Sequence, residues 1–394
     1  MPGSPLGTPD NPLRVAVIGS GPSGFYAAER LLNDPDVSVQ VDVFDRLPTP
    51  FGLVRGGVAP DHQKIKSVTR VFDKIAAHPE FRFYGNVEVG RDIVRDEVTA
   101  YYHGIIYAVG ARTDRRMWIP REHLPGSHSA TEFVGWYNAH PDYRRMRFNL
   151  QAESAAVVGN GNVAMDVARL LASPHEHLAT TDISDHALAA LADSKVRDIH
   201  ILGRRGPAQA AFTNKEIKEL GELPGVDVII DPAALELDPA SKAYVEAAED
   251  KSLERNLAIL QGYAEREPTG APTRIHLHFA VSPVEIVGDA RVDPARQHQG
   301  DAGGEDQHRV GLVDDDDVRL RHDGVVEVGD QPVAQHVEAD LVDGHVHDLV
   351  RVGRAAVRPL GRLPQPADGD AQLGEERTHP LGVAAGVGAP HRGP

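Results

Sequence analysis

The chain of 394 residues contains no cysteine. That excludes disulfides, thiolate metal sites, cysteine-ligated iron–sulfur clusters and redox chemistry through protein thiols. Electrons that pass through such a protein must travel on a cofactor. No apolar run approaches the length of a membrane-spanning helix, so no membrane span is expected. The opening stretch MPGSPLGTPDNPLR lacks the basic-then-apolar order of a signal peptide. Residues 1–13 are therefore expected to be a disordered leader, and the chain to be cytoplasmic. Basic charge is scarce as well: 41 Lys and Arg stand against 58 Asp and Glu, a net charge of −17. This balance argues against nucleic-acid binding.

A second absence is local. From Asp293 to Pro394 there is no Ile, Phe, Tyr, Trp, Met, Lys, Asn or Ser. The segment runs instead on Asp, Val, Gly, Arg, His, Ala, Leu, Gln and Pro, with DDDD at 314–317. It offers little to pack and is expected to form a low-order acidic tail. Two origins stay open, a disordered tail or a translation that has left its reading frame in a GC-rich gene. The absent residues are mostly those with AT-rich codons, which favours the second. The histidines of HVEADLVDGHVH (336–347) read as chance clustering, and no metal-ligand spacing appears before residue 293.

What precedes residue 293 reads as a folded α/β enzyme. RVAVIG (14–19) is a buried parallel strand by its continuous apolar character. GSGPSG then sets Gly19, Gly21 and Gly24 in the G-x-G-x-x-G spacing. The first glycine permits the tight turn, the second lets backbone approach a pyrophosphate, and the third lets the helix pack close to the strand. The helix PSGFYAAERLLN aims its N-terminal amides at the anion. The next strand, VQVDVFDR (39–46), ends in Asp45, where an acid takes ribose hydroxyls.

The device recurs about 140 positions later. SAAVVG (154–159) is a strand and GNGNVAMDVARLL a turn with its helix, but Ala164 occupies the third position. The following strand, RDIHILG (197–203), ends not in an acid but in Arg204 and Arg205. Two guanidiniums offer a 2′-phosphate forked, charge-assisted donors, which selects NADP(H) over NAD(H).

LPTPFGLVRGGVAPDH (47–62) follows the first unit and is too rich in Pro and Gly for a regular element. Through GLVRGGVAPDH the chain resembles the ferredoxin–NADP⁺ reductases of the adrenodoxin reductase type. IIYAVGAR (105–112) and EFVGWYNAHPDY (132–143) are further segments of that resemblance, which runs from about Arg14 to Val292. It implies two nested Rossmann-like, doubly wound (ββα-type) dinucleotide-binding domains. FAD would sit on the part numbered 14–112 and NADP(H) on 113–292. By the same resemblance Ser23, Asp45, Leu53 and Val89 fall at FAD-contacting positions. Asn160, Gly161, Asn162 and Val163 match the NADP pyrophosphate turn, Arg204 and Arg205 the 2′-phosphate clamp, and Arg115 and Glu216 further NADP contacts. The family chain then returns to complete the FAD domain with a tryptophan-containing stretch and a G-x-G-T turn. Neither is recognisable between 293 and 394.

The activity so implied is electron transfer from NADPH through FAD to a small iron–sulfur carrier of the ferredoxin kind. His62, in the flavin-side loop, and Glu219, on the helix carrying Glu216, are the titratable side chains expected at the nicotinamide–flavin junction. They would either gate proton movement or join the domains by a structural hydrogen bond. An acidic carrier calls for a local basic surface. Residues 293–394 carry 10 Arg against 14 Asp and 5 Glu, leaving −8 for the rest, in which basic residues cluster at 62–74 and 112–121. Two other readings remain. A glutamate-synthase-type electron-transfer subunit shares the nested plan but usually carries a cysteine-rich iron–sulfur segment. An inactive reductase with a truncated or frameshifted C-terminal part would keep NADP binding only.

Overall fold

The computed structural model describes residues 4–111, 114, 116–287, 309–310 and 318–321. The first sheet is built from β1 (Leu13–Ile18), β2 (Val39–Asp45), β3 (Phe81–Gly85) and β4 (Gly104–Tyr107). Its order is β3-β2-β1-β4 and every pairing is parallel. One face buries Val15, Val17, Val41 and Val43 beneath Phe25 and Ala28 of helix Pro22–Leu32. Phe72, from helix Thr69–Ala76, stacks on Phe25 with ring centroids 4.8 Å apart. The opposite face packs Ala16, Ile18 and Phe44 against Val98 of helix Arg95–Tyr101. Helices on both faces explain why β1 is apolar in consecutive positions rather than alternate ones.

The second sheet contains β5 (Ser154–Val158), β6 (Asp198–Gly203), β7 (Val226–Ile230) and β8 (Thr273–Phe279). Next in the chain come β9 (Ser282–Ile286), β10 (Arg309–Val310) and β11 (Val318–Arg321). The order is β10-β5-β6-β8-β7, parallel except for β10, which runs antiparallel along β5. β9 and β11 form a separate antiparallel pair. Of the C-terminal tail, only β10 and β11 lie among the described residues. Ile199, Ile201, Ile275 and Leu277 share one buried cluster with Met165, Ala168 and Leu170 of helix Asn162–Ala172. The architecture is thus two parallel-sheet α/β domains, as the two glycine turns imply. Among the described residues no helix is long and apolar enough to cross a membrane.

Two expectations need correcting. Residues 4–12, read as part of a disordered leader, are tied to the sheet. Ser38 N donates to Gly7 O at 2.8 Å, and Leu13 N to Ser38 O at 2.8 Å. The leader satisfies the backbone just ahead of β2, which composition alone does not reveal. The loop 47–62 includes one helical turn, Leu53–Gly56. Phe51 and Gly52 take positive φ values of 89° and 47° to start it, and Phe51 N donates to Ser20 O at 2.9 Å.

The third position of each turn decides how closely helix and strand approach. A Cβ on Gly24 would drive into the carbonyl oxygen of Gly19. Ala164, at the corresponding place, is buried with its methyl in the core. Gly24→Ala should therefore cost about 1–3 kcal/mol of stability by overpacking. Ala164→Gly should cost about 1 kcal/mol through backbone entropy. Urea midpoints followed by circular dichroism check both, and a raised midpoint for Gly24→Ala would contradict the contact.

Candidate functional site

The first turn leads from β1 into helix Pro22–Leu32 through Gly21, whose extended backbone is the N-cap, with Pro22 opening the helix. Gly19, at φ 108°, sits so close to β4 that a side chain would strike Ala108 O. Asp45 stands at the C-terminal end of β2. Its Oδ2 accepts from Ser20 N at 2.9 Å and Ser20 Oγ at 2.5 Å, and its Oδ1 from Leu47 N at 2.9 Å. The carboxylate thus braces the turn and keeps about one of its roughly four acceptor sites uncommitted to these three donors. Ser20, fully buried, is a residue of this site that glycine spacing does not single out. Ser23 is exposed in the first helical turn, Leu53 is exposed at the start of the Leu53–Gly56 turn, and Val89 is half-buried opposite Ile93.

In the second turn Gly159 has φ 133° and Gly161 is the extended N-cap of helix Asn162–Ala172. Asn160 O accepts from Ala211 N at 3.1 Å, and Asn162 Oδ1 accepts from Thr213 N at 2.8 Å. Those two bonds set the start of helix Asn214–Leu220, which Thr213 caps. The Asn160 side chain packs against Gly203 at the end of β6, where a Cβ would crowd it. Arg204 and Arg205 follow immediately and are exposed beside the turn, while Val163 lies half-buried in its first helical residues. Arg115 lies outside the described residues.

Between the turns lies a buried charge cluster centred on Arg169. Its Nε and Nη2 donate to the two oxygens of Asp61 at 2.7 and 2.9 Å. Nη2 also reaches Asp166 at 2.7 Å and Nη1 reaches Glu216 at 3.0 Å. His62 Nε2 is 3.1 Å from Glu219 Oε2 and 3.6 Å from Glu216 Oε2, and Nδ1 is 3.7 Å from Asp166. His62 and Glu219 are thereby brought together across the two α/β domains. Glu216, expected to contact NADP(H), is 5% exposed, and its Oε2 accepts from Arg169. Asp61, Asp166 and Arg169 escape a reading of sequence. The available signal was an Asp and an Arg three apart on a helix whose neighbours are all apolar.

Burial alone would lower the His62 pKa, but the Glu219 hydrogen bond, with Asp166 and Glu216 nearby, raises it above its ordinary value. Burial raises the Asp166 carboxyl to about 7, with Glu216 adding to it against Arg169 and His62. Burial also works against ionisation of Glu219 and Asp61, yet both are held below the ordinary range, Glu219 by His62 and Lys215, Asp61 by Arg169. Four carboxylates therefore share two buried cations, with Lys215 reaching Glu219 from the surface. The surplus negative charge keeps a proton in the cluster near neutrality.

Paired α/β units, each with a glycine turn at the C-terminal edge of a parallel sheet, define a protein built to hold two dinucleotides. The family model described as pyridine nucleotide-disulphide oxidoreductase matches residues 13–206. The NADPH-ferredoxin reductase FprA of Mycobacterium tuberculosis is 49% identical over 286 residues, which is 72% of this chain and 62% of that protein. The mitochondrial NADPH:adrenodoxin oxidoreductase of Arabidopsis thaliana is 42% identical over 269 residues, 68% of this chain and 56% of that one. A solved structure of Mycobacterium tuberculosis FprA in complex with NADPH superposes with a TM-score of 0.69 at 46% identity, covering 79% of this chain and 68% of that chain. The chain belongs to the ferredoxin–NADP⁺ reductase family of the adrenodoxin reductase type. It spans about three fifths of the length of the curated relatives it matches.

The cluster makes a signed prediction. A histidine whose folded pKa is raised adds stability that is complete below its unfolded pKa and is lost as pH rises through the folded value. The raised Asp166 has the same sign, its contribution fading between the ordinary carboxylate range and about 7. Urea midpoints should fall from about pH 6 to about pH 8.5, and His62→Gln should flatten the upper part of that slope. Arg169→Met strands the carboxylates and should cost about 3–5 kcal/mol at neutral pH, less in mild acid. Equal losses at both pH values would refute the charge account.

Proposed function

We propose that this chain holds FAD on residues 14–112 and NADP(H) on residues 113–292. It would pass electrons from NADPH through the flavin to a small ferredoxin-like iron–sulfur carrier in the cytoplasm. The observation that carries this reading is the His62–Glu219 pair at 3.1 Å, which fastens the flavin-side loop to the nicotinamide-side helix.

The residues present fit both groups. At the first turn, a Cβ on Gly21 would meet only Gly52 Cα, at 4.0 Å, so the backbone there is open to a pyrophosphate. Gly19, Gly24 and Ser23 would shape and line that approach, Asp45 would take the ribose, and Leu53 and Val89 would cover apolar parts. At the second turn, Asn160 Nδ2 is a buried donor with no hydrogen-bond partner among the described residues, as expected of a group that waits for an acceptor. Asn160, Gly161, Asn162 and Val163 would cradle the pyrophosphate, with Arg115, Arg204 and Arg205 on the 2′-phosphate side. Glu216 would act through Arg169. FAD, when bound, supplies the exchange between a two-electron donor and a one-electron acceptor. The protein's own part is to orient, to exclude water and to hold a proton on His62 against the Glu219 carboxylate. Exposed Lys64, Arg70 and Lys74, and Arg116 beside the exposed Trp118, offer positive charge to an acidic carrier. Lys66 is tied down by Asp182 at 2.7 Å.

The test is optical. The full chain supplied with FAD should retain a flavin spectrum that bleaches on adding NADPH under anaerobic conditions, and should then reduce a ferredoxin. A colourless protein without NADPH-dependent reduction would sink the proposal even if NADP⁺ still binds. Arg204→Gln and Arg205→Gln should each weaken NADP⁺ binding by about 10–100-fold, the loss of a charged hydrogen bond, with little effect on NAD⁺. Calorimetry with both nucleotides checks this; parallel losses would mean the arginines do not read the 2′-phosphate.

A further inference from the structure

The second sheet has an anomalous face. In β6 and β8 the residues Ile199, Ile201, Ile275 and Leu277 are buried in the core. Alternate residues of the same strands are Asp198 and His200 in β6, and Arg274, His276 and His278 in β8. Side chains two apart on a strand share a face. Parallel register sets Asp198 beside Arg274, His200 beside His276 and Leu202 beside His278. Three imidazoles and a carboxylate thus meet on the face opposite the apolar core, where a covered parallel sheet would ordinarily carry Val, Ile or Leu. Ala156, which neighbours His200 on the β5 side, is small and leaves the group room.

The contacts are close and mutual. The His200 and His276 rings stack with centroids 4.3 Å apart and an 8° interplanar angle. His200 Nδ1 is 3.0 Å from His278 Nε2. His276 Nε2 is 2.9 Å from Asp198 Oδ1, and Arg274 donates to the other oxygen of Asp198. One ligand atom each from Asp198, His200 and His276 lie within 4.8 Å of one another. Four-coordinate zinc has Zn–N bonds of about 2.0–2.1 Å, which places its ligand atoms somewhat over 3 Å apart.

We propose that Asp198, His200, His276 and His278 form a binding site for a divalent transition-metal ion of the zinc type. Imidazole nitrogens with one carboxylate suit Zn²⁺, Co²⁺, Ni²⁺ and Cu²⁺ and do not suit Mg²⁺ or Ca²⁺. Binding moves the protons between His200 and His278 and between His276 and Asp198 onto the ring nitrogens that face away from the ion, and changes no oxidation state. The site is separate from the His62 cluster, and it is invisible to linear spacing because its hydrogen-bonded partners lie 78 residues apart.

The test uses the full chain stripped with a chelator and titrated with ZnCl₂ by calorimetry, then with Co²⁺ for its ligand-field spectrum. The eight histidines from His298 to His391 are competing ligands, so variants must separate them. The wild-type chain should bind one Zn²⁺ that His200→Gln/His276→Gln abolishes while the tail stays intact. His278→Gln should weaken that binding by about 10-fold or more. His62→Gln should leave it unchanged. Undiminished binding in the double variant, or no binding in the wild type, overturns the proposal. Should the double variant fail to fold, diethylpyrocarbonate labelling of the wild type decides. Zn²⁺ should protect His276 and His278, and equal labelling with and without Zn²⁺ overturns the site.

Discussion

One guanidinium holds the two halves of this protein in register. Arg169 offers five N–H donors in a fixed plane, and Asp61, Asp166 and Glu216 take them from three separate segments. Asp61 belongs to the loop leading out of the first dinucleotide unit, and Glu216 to the helix that completes the second. A buried ion pair is a weak source of net stability, because desolvation consumes most of the Coulomb gain. Its consequence is geometric. An apolar contact at this place would let the loop slide, whereas a planar fork satisfied on both Asp61 oxygens accepts one orientation. His62, the next residue, is thereby delivered to Glu219.

The two glycine turns show how one backbone device is specialised by its neighbours. Gly24 brings helix Pro22–Leu32 against the Gly19 carbonyl, while at the corresponding place in the second unit the Ala164 methyl is buried in the core. At the end of the second strand of each unit the charge is reversed: Asp45 in the first, Arg204 and Arg205 in the second. Asp45 is drawn inward by Ser20 and Leu47, so its carboxylate stabilises the turn itself. The arginines remain at the surface beside Asn160 and Gly203, where a charged phosphate can reach them without desolvating them fully.

Sequence made the local parts legible. The strands around both turns, the glycine spacing, and the change from acid to arginine all lie within windows of some thirty residues, where periodicity and turn chemistry speak directly. Assemblies across segments were not legible. Asp61, Asp166 and Glu216 acquire meaning only when the loop, the helix and its neighbour converge on Arg169, and in NVAMDVARLLA the apolar neighbours of Asp166 and Arg169 hint at burial without naming a partner. The same limit hid the histidine face. D-x-H in β6 and H-x-H in β8 are each unremarkable, and only the parallel register brings them together. Glu216 shows the same limit: its position on the helix is legible, but not that the helix turns its carboxylate to Arg169. The leader was misread because composition reports on the segment itself and not on Ser38, which holds it.

The cluster's charge gives the junction its character. Four carboxylates against two buried cations leave a negative surplus that an added proton reduces; burial favours that proton on Asp166 close to neutral pH, while Glu219 holds one on His62. Water-exposed groups would have dissipated the surplus into salt and solvent; here both side chains are enclosed and their field is poorly screened. Proton occupancy is consequently linked to any charge that arrives beside the cluster. The linkage is reciprocal, so the same free energy appears as a shift in proton affinity or as a shift in affinity for the arriving charge. That is why His62 and Glu219 act as a unit with Arg169. A lone hydrogen bond between domains would fix their distance, whereas a bond set inside a proton-holding cluster also makes their association depend on charge.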